Sequence, residues 1–217
     1  MTGIYVEVRI AAPLDTVWEL TQDPVQHVRW DVRFSEIVPT SPTDAGAMRF
    51  IYTRRVPFRT VAGDGVSIGE TSGRDGSRTS ALRFATTDLW SPIRSGRGYW
   101  RYVPDGDGVR FITGYDYAPG WGRLLDHVAR PVLGWATAWS FDRLRVWAER
   151  GESPERWPLV SVLWFWRPER PRAARCRRAP AHGRRRDDHL RDAPSAWPRS
   201  RRREGPHDVR VPEGHGP

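Results

Sequence analysis

Apolar and polar residues alternate through Ile4–Ile10, with Ile4, Val6, Val8 and Ile10 on one side and Tyr5, Glu7 and Arg9 on the other. A period of two puts successive side chains on opposite faces of a pleated strand, so this stretch predicts a half-buried β-strand. Pro13 then suits the first turn of a helix, where its missing amide donor has no partner to lose. Leu14, Val17, Trp18 and Thr21 form the inward stripe of that helix, which Asp23-Pro24 stops. A second helical piece is expected over residues 24–30, and a further strand over residues 32–38.

From residue 47 to residue 117 the pattern is that of antiparallel strands. Met48, Phe50 and Tyr52 alternate with Arg49, Ile51 and Thr53; Leu82 and Phe84 with Ala81 and Arg83; Trp100 and Tyr102 with Tyr99 and Arg101. Each run offers one apolar and one wetter face. Gly63-Asp64-Gly65, Gly73-Arg74-Asp75-Gly76 and Asp105-Gly106-Asp107-Gly108 read as hairpin turns. The last of these joins residues 98–103 to residues 109–117. Residues 89–93, with Trp90 and Pro92, read as a loop or bulge.

After Gly120 the period changes. Val128, Val132, Trp135, Trp139 and Val146 recur at helical steps, and Leu133, Ala136, Phe141, Leu144 and Trp147 fill a second line. Residues 121–150 therefore predict a helix apolar around most of its surface, roughly 45 Å long if continuous. Pro131 is expected to kink or divide it. Gly151 and Pro154 mark its end. A sheet with one apolar face needs a cover, and this helix is the natural one.

Composition changes the picture mainly at the C-terminus. The chain has 217 residues and a net charge of +9. All of its basic residues are arginine, and they divide unevenly, with 20 against 19 acids through residue 166 and 15 against 7 beyond it. The organisation is therefore expected to be a domain over residues 1–151, an apolar extension over 152–166, and an Arg/Pro-rich tail over 167–217. The tail is too poor in apolar residues to offset its ordering entropy and is expected to be disordered. Its arginine clusters (177–178, 184–186, 201–203) read as a solvated run with only Trp197 to stack, which argues against specific nucleic-acid binding. The N-terminus lacks a basic leader and long apolar core, and no run reaches the roughly 20 apolar residues of a spanning helix. A cytoplasmic protein is expected.

Ile10-Ala11-Ala12-Pro13, Val17-Trp18-Glu19-Leu20, Asp23-Pro24 and Trp30 resemble the opening of the SRPBCC superfamily, the START-like or polyketide cyclase/dehydrase and lipid-transport proteins. Trp100, Pro104, Gly106 and Gly108-Val109-Arg110-Phe111 are similar to that superfamily's last hairpin. The resemblance implies an α+β helix-grip fold, a curved antiparallel sheet wrapped around a long C-terminal helix. It also implies an apolar cavity between the two that holds lipids, polyketides or similar molecules.

The candidate ligand-binding residues are Phe50, Tyr52, Phe84, Trp100, Tyr102, Phe111 and Tyr115 on the sheet, with Trp135 and Trp139 on the helix. Large rings supply contact area, and a Tyr or Trp tip can orient a ligand with one hydrogen bond. The expected function is binding, and possible carriage, of a hydrophobic small molecule. The alternative, drawn from the family's breadth, is a cyclase or dehydratase using His27, Tyr52, Arg54 or Tyr115. A second alternative is contact with an anionic membrane surface through residues 157–166 and the tail. No catalytic group identifies itself. His27 and His127 read as surface or cap residues, and Asp126 beside His127 points about 100° away from it. Asp116 reads as a solvated strand end. No cofactor or metal is expected: the single Cys176 with His182 and His189 matches no common zinc spacing, and G-x-S-x-G and H-E-x-x-H motifs are absent.

Overall fold

The computed structural model describes residues 3–43 and 47–179. In chain order the elements are β1 (Ile4–Ile10), α1 (Leu14–Gln22), α2 (Pro24–Trp30), β2 (Glu36–Thr40), β3 (Arg49–Val56), β4 (Arg59–Ser72), β5 (Arg78–Ala85), β6 (Ile93–Asp105), β7 (Gly108–Pro119) and α3 (Gly122–Arg150). The seven strands form one antiparallel open sheet in the order β1-β7-β6-β5-β4-β3-β2. Helix α3 packs on β1 and more lightly on β7. This is the helix-grip arrangement.

The alternation found in the sequence sets the faces. Val6 pairs with Thr113 and Val8 with Phe111 across β1 and β7, and Phe111 pairs with Tyr102 across β7 and β6. Ile4, Val6, Val8, Ile10, Val109, Phe111, Tyr102 and Trp100 therefore share the face that carries α3, and they form one buried cluster with Trp30, Ala138, Trp139, Phe141 and Leu144. Burying the larger of these side chains contributes about 1.5–3 kcal/mol each.

Three expectations about local structure are corrected. The strand expected at residue 32 begins at Glu36. Asp31 accepts a hydrogen bond from the Arg33 amide at 3.0 Å, and its carbonyl accepts from Phe34 at 3.2 Å. This side-chain-closed turn competes with the strand for residues 31–34. Gly63-Asp64-Gly65 is not a turn but lies within β4; the β3–β4 turn is Val56-Pro57-Phe58-Arg59, with Phe58 in the left-handed region at φ 69°. The glycines serve a different need, since a Cβ at Gly63 would overlap the Tyr52 ring and one at Gly65 the Phe50 ring. Finally, of the two outcomes expected at Pro131, division does not occur, since α3 runs through it as one helix. Both Pro131 and His127 are exposed, so the carbonyl deprived of its amide partner lies on the solvent side.

The burial of α3 also differs from its apolar pattern. Its second half is enclosed, with Thr137 through Leu144 all buried. In its first half Val128 and Val132, expected to face the core, point to solvent with Leu124 and Leu125, while Asp126 and Ala129 are buried. Gly151 ends the helix at φ 66°, as its position predicts.

Residues 152–179 fold back along α3. Trp157 is fully buried, and Arg143 donates to the Pro154 carbonyl at 2.6 and 2.9 Å. Residues 157–166 form neither strand nor helix of the α type, but 3-10 turns at Leu159–Leu163 with Leu163, Phe165 and Trp166 exposed. The disorder expected from residue 167 is corrected as far as residue 179. The Arg172 amide and the Arg175 guanidinium donate to Asp142 at 2.7 and 3.0 Å, and the Cys176 thiol donates to the Ala138 carbonyl at 3.1 Å. Glu7 and Arg177 exchange backbone hydrogen bonds at 2.9 and 2.8 Å. A carboxylate buried on a helix needs such donors, and this segment supplies them to Asp142. The remaining tail, with His182, His189, Trp197 and the arginine clusters at 184–186 and 201–203, lies outside the described residues.

Candidate functional site

The register brings all seven sheet residues singled out in the sequence onto the face that carries α3. Phe50 lies opposite Gly65, Phe84 opposite both Gly65 and Gly96, Trp100 opposite Ser80 and Thr113, and Tyr115 opposite Gly98. They fall into two groups. Trp100, Tyr102 and Phe111 are buried in the core: Phe111 stacks on Phe141 at 4.4 Å and lies tilted against Tyr102 at 5.0 Å, and Trp100 lies 6.2 Å from Trp30. Trp139 belongs with them, and the half-buried Trp135 stacks on it at 6.4 Å.

Phe50, Tyr52 and Phe84 are half-buried on β3 and β5, away from the strands on which α3 packs. Their rings lie across glycines of the neighbouring strands: Phe50 over Gly65, Tyr52 over Gly63, and Phe84 over Gly96. A ring can lie this flat only where the opposing residue has no Cβ. The result is an apolar aromatic floor set flush on the strands. Burial pushes the Tyr52 hydroxyl up to about 12, with help from Asp64, so it is a neutral donor at ordinary pH.

A buried polar cluster borders this floor. The Arg33 guanidinium donates to Asp31 through Nε at 2.9 Å and Nη2 at 2.6 Å, and to Thr137 Oγ1 through Nη1 at 3.2 Å. Tyr115 and Thr137 share a hydrogen bond of 2.9 Å. His27 Nε2 lies 3.2 Å from Asp31 Oδ2, and its ring stacks on Trp30 at 4.9 Å and meets Trp100 and Phe34 edge-on. Phe34 in turn meets Tyr52 at 5.6 Å, which ties the cluster to the floor.

His27 is thus a buried residue, not the surface or cap residue its context suggested. Burial lowers its proton affinity more than the Asp31 contact restores it. Burial also raises Tyr115, against the opposing influence of Arg33. Asp31 is pulled upward by burial, but the Arg33 charge and the bonds from His27 and Arg33 outweigh this and hold it well below the carboxylate range. The cluster therefore holds a neutral imidazole, a neutral phenol and one closed ion pair. The neutral imidazole is enclosed by Trp30, Phe34 and Trp100, with Nε2 turned to Asp31. Arg54 is half-buried on β3.

Arg33, Asp31, Phe34 and Thr137 carry no sequence motif that marks them. One signal was present, since His27 and Asp31 stand four apart and share a helix face. Elsewhere, Asp126 is buried, accepting from Tyr117 at 2.6 Å and Arg130 at 2.9 Å, while His127 is exposed. Asp116 is half-buried and paired with Arg97 at 3.2 Å. A shallow cleft of about 520 Å³ lies outside the grip, among Trp18, Leu20, Gln26, Arg29 and Trp147, and contains none of the nine candidate residues. Among the described residues no group of three or more His, Cys, Asp or Glu could hold a metal ion, and no helix is long and apolar enough to cross a membrane.

Comparison with known proteins sharpens the family. A Bacillus subtilis (strain 168) protein named an uncharacterized membrane protein, YndG, is 40% identical over 169 residues, covering 75% of this chain. The chain spans 63% of that relative's length. Among solved structures, the Ara h 8.0201 structure covers 67% of this chain and 96% of its own, with a TM-score of 0.50 at 10% identity. The di-domain ARO/CYC StfQ from the steffimycin biosynthetic pathway covers 69% of this chain and 51% of its own, with a TM-score of 0.50 at 14% identity. At such identities these two likenesses show the fold. The family model for polyketide cyclase/dehydrase and lipid transport proteins matches residues 1–149, the whole sheet and nearly all of α3, and the chain belongs to that family.

Proposed function

We propose that this chain binds a hydrophobic small molecule, lipid-like or polyketide-like, between the β3–β5 half of the sheet and α3. The observation that carries this reading is the floor of Phe50, Tyr52 and Phe84, held flat by Gly63, Gly65 and Gly96 and left half-buried beside a helix that leans on β1 and β7. An apolar ligand would cover these rings, and the Tyr52 hydroxyl supplies a neutral donor for a polar tip. The family's membership among cyclases and lipid carriers fits such a ligand. Binding without chemistry is favoured because His27 is walled in by Trp30, Phe34 and Trp100 and its facing nitrogen is engaged by Asp31.

The full-length chain is the right object to test, since residues 152–179 pack on α3. Native mass spectrometry should show a co-purified organic molecule, or the apo chain should take up an apolar fluorescent probe saturably, with uptake weakened in Phe84→Ala. Absence of both bound molecule and saturable uptake overturns the reading.

A further inference from the structure

One end of the sheet carries an apolar surface that neither the core nor the candidate site uses. Three connections meet there: the β3–β4 hairpin tip, the β5–β6 loop of residues 86–92, and the step from β7 into α3. Phe58 stands fully exposed at the hairpin tip. In the loop Leu89 and Trp90 are exposed, Trp90 by 62%. At the start of α3, Trp121, Leu124, Leu125, Val128 and Val132 face solvent, Leu124 by 84%. Helical steps of 100° place these last five within one stripe about a third of the circumference wide.

The three pieces are physically joined. Trp121 Nε1 donates to the Leu89 carbonyl at 3.2 Å, which ties the helix start to the loop. The Arg59 guanidinium lies 5.7 Å from the Trp90 ring and pairs with Asp88 at 3.4 Å, which ties the hairpin to the same loop. Phe58 is held out at φ 69°, a conformation that strains a bulky residue. Exposed aromatics and leucines on three adjacent tips form a surface that protrudes instead of a groove that receives.

We propose that this end of the molecule docks on a lipid bilayer bearing anionic headgroups. The charged side chains flanking the tips are Arg55, Arg59, Arg94 and Arg123, with Asp88 the acid among them and already paired. Apolar tips ringed by arginine suit a bilayer interface: the rings and leucines enter the headgroup boundary, and the long guanidinium side chains stay at the phosphates. A two-fold contact between copies of this chain would instead set the same arginines against one another. This surface is separate from the apolar extension at residues 157–166, which follows the other end of α3.

The test uses the full-length chain and vesicles of phosphatidylcholine with or without phosphatidylglycerol. An environment-sensitive fluorophore placed on Phe58→Cys reads insertion at the tip; Cys176 is buried, so labelling is selective. Phosphatidylglycerol vesicles should shift the fluorophore to the blue, more weakly at high salt. Leu124→Glu/Val128→Glu should weaken that binding by about tenfold or more while leaving the melting transition in place. Leu163→Glu/Phe165→Glu on the extension should leave it unchanged.

An unshifted fluorophore on a chain that nonetheless pellets with vesicles places the contact elsewhere and overturns the proposal. So does equal binding by the Leu124→Glu/Val128→Glu variant, or loss of binding in the extension variant. A dimer in the absence of lipid that Leu124→Glu/Val128→Glu dissociates makes the patch a self-interface and also overturns it. Apolar probe uptake should survive in all these variants, so failure here and failure of the ligand-binding reading are separate results.

Discussion

His27 lies on the inner face of α2 and Asp31 caps that helix's C-terminus, with Nε2 of one 3.2 Å from Oδ2 of the other, and the Asp31 side chain has no exposed surface. A carboxylate so placed survives ionised only because Arg33 closes on it with two further bonds. The imidazole is the member of the trio that burial keeps neutral.

That neutrality makes stability depend on pH in a defined window. In the unfolded chain His27 takes up a proton near 6.5, whereas in the folded chain its proton affinity is lower. Its contribution is therefore fully present above 6.5 and is lost as pH falls below that value. Asp31, held below its ordinary 3.8, adds a second loss beneath about that pH. Between the two, urea unfolding should lose about 1.4 kcal/mol per pH unit from His27 as long as the folded imidazole stays neutral. His27→Gln keeps a donor toward Asp31 and should remove this slope. An unchanged slope in that variant would place the titration elsewhere.

The Asp31–Arg33 pair should respond asymmetrically to substitution. Arg33→Met leaves a buried carboxylate without its cation and is expected to destabilise by about 3–5 kcal/mol. Asp31→Leu/Arg33→Met removes both charges and should recover much of the loss, apart from the turn that Asp31 closes. A double variant no more stable than Arg33→Met would mean that the turn, and not the stranded charge, dominates.

What is legible in the sequence follows period and punctuation. Strands β1, β3, β5, β6 and β7 alternate because one face is buried, and that alternation alone assigns Phe50, Tyr52, Phe84 and Trp100 to the apolar faces of their strands. Two kinds of information are not local. Glycine fits both positive φ and a missing Cβ, so Gly63 and Gly65 read as a turn when the tertiary need is room for two rings. The apolar pattern of α3 shows which residues are greasy but not which side meets the sheet, so Val128 and Val132 read as core when they face solvent. His27 is similar, because its burial depends on Trp100, 73 positions away in the chain.

The glycines beneath the aromatic floor allow a sharp test of it. Gly65→Ala inserts a methyl where the Phe50 ring lies and should destabilise by about 1–3 kcal/mol. Phe50→Ala in the same chain vacates that space, so the two losses should be far from additive in a double-mutant cycle. Additive losses would show that the ring has another resting place. Gly65→Ala should also push the Phe50 ring off the strand and reduce apolar probe uptake.

Residues 152–179 should act as a structural strap on α3. Burial pushes the Arg143 guanidinium down to about 10, and its donors close on the Pro154 carbonyl. Ending the chain at residue 151 removes that acceptor, the buried Trp157 and the donors to Asp142, so two buried charges lose partners together. A loss of about 3–5 kcal/mol or more is expected relative to a chain ending at residue 179. Cys176 reports the same docking, because burial, with Asp142 nearby, raises its thiol well above the usual range. A thiol reagent should modify it at least about a hundredfold faster in denaturant than in buffer. Equal stability of the two truncations, together with rapid labelling of the native thiol, would mean that the strap is not held in solution.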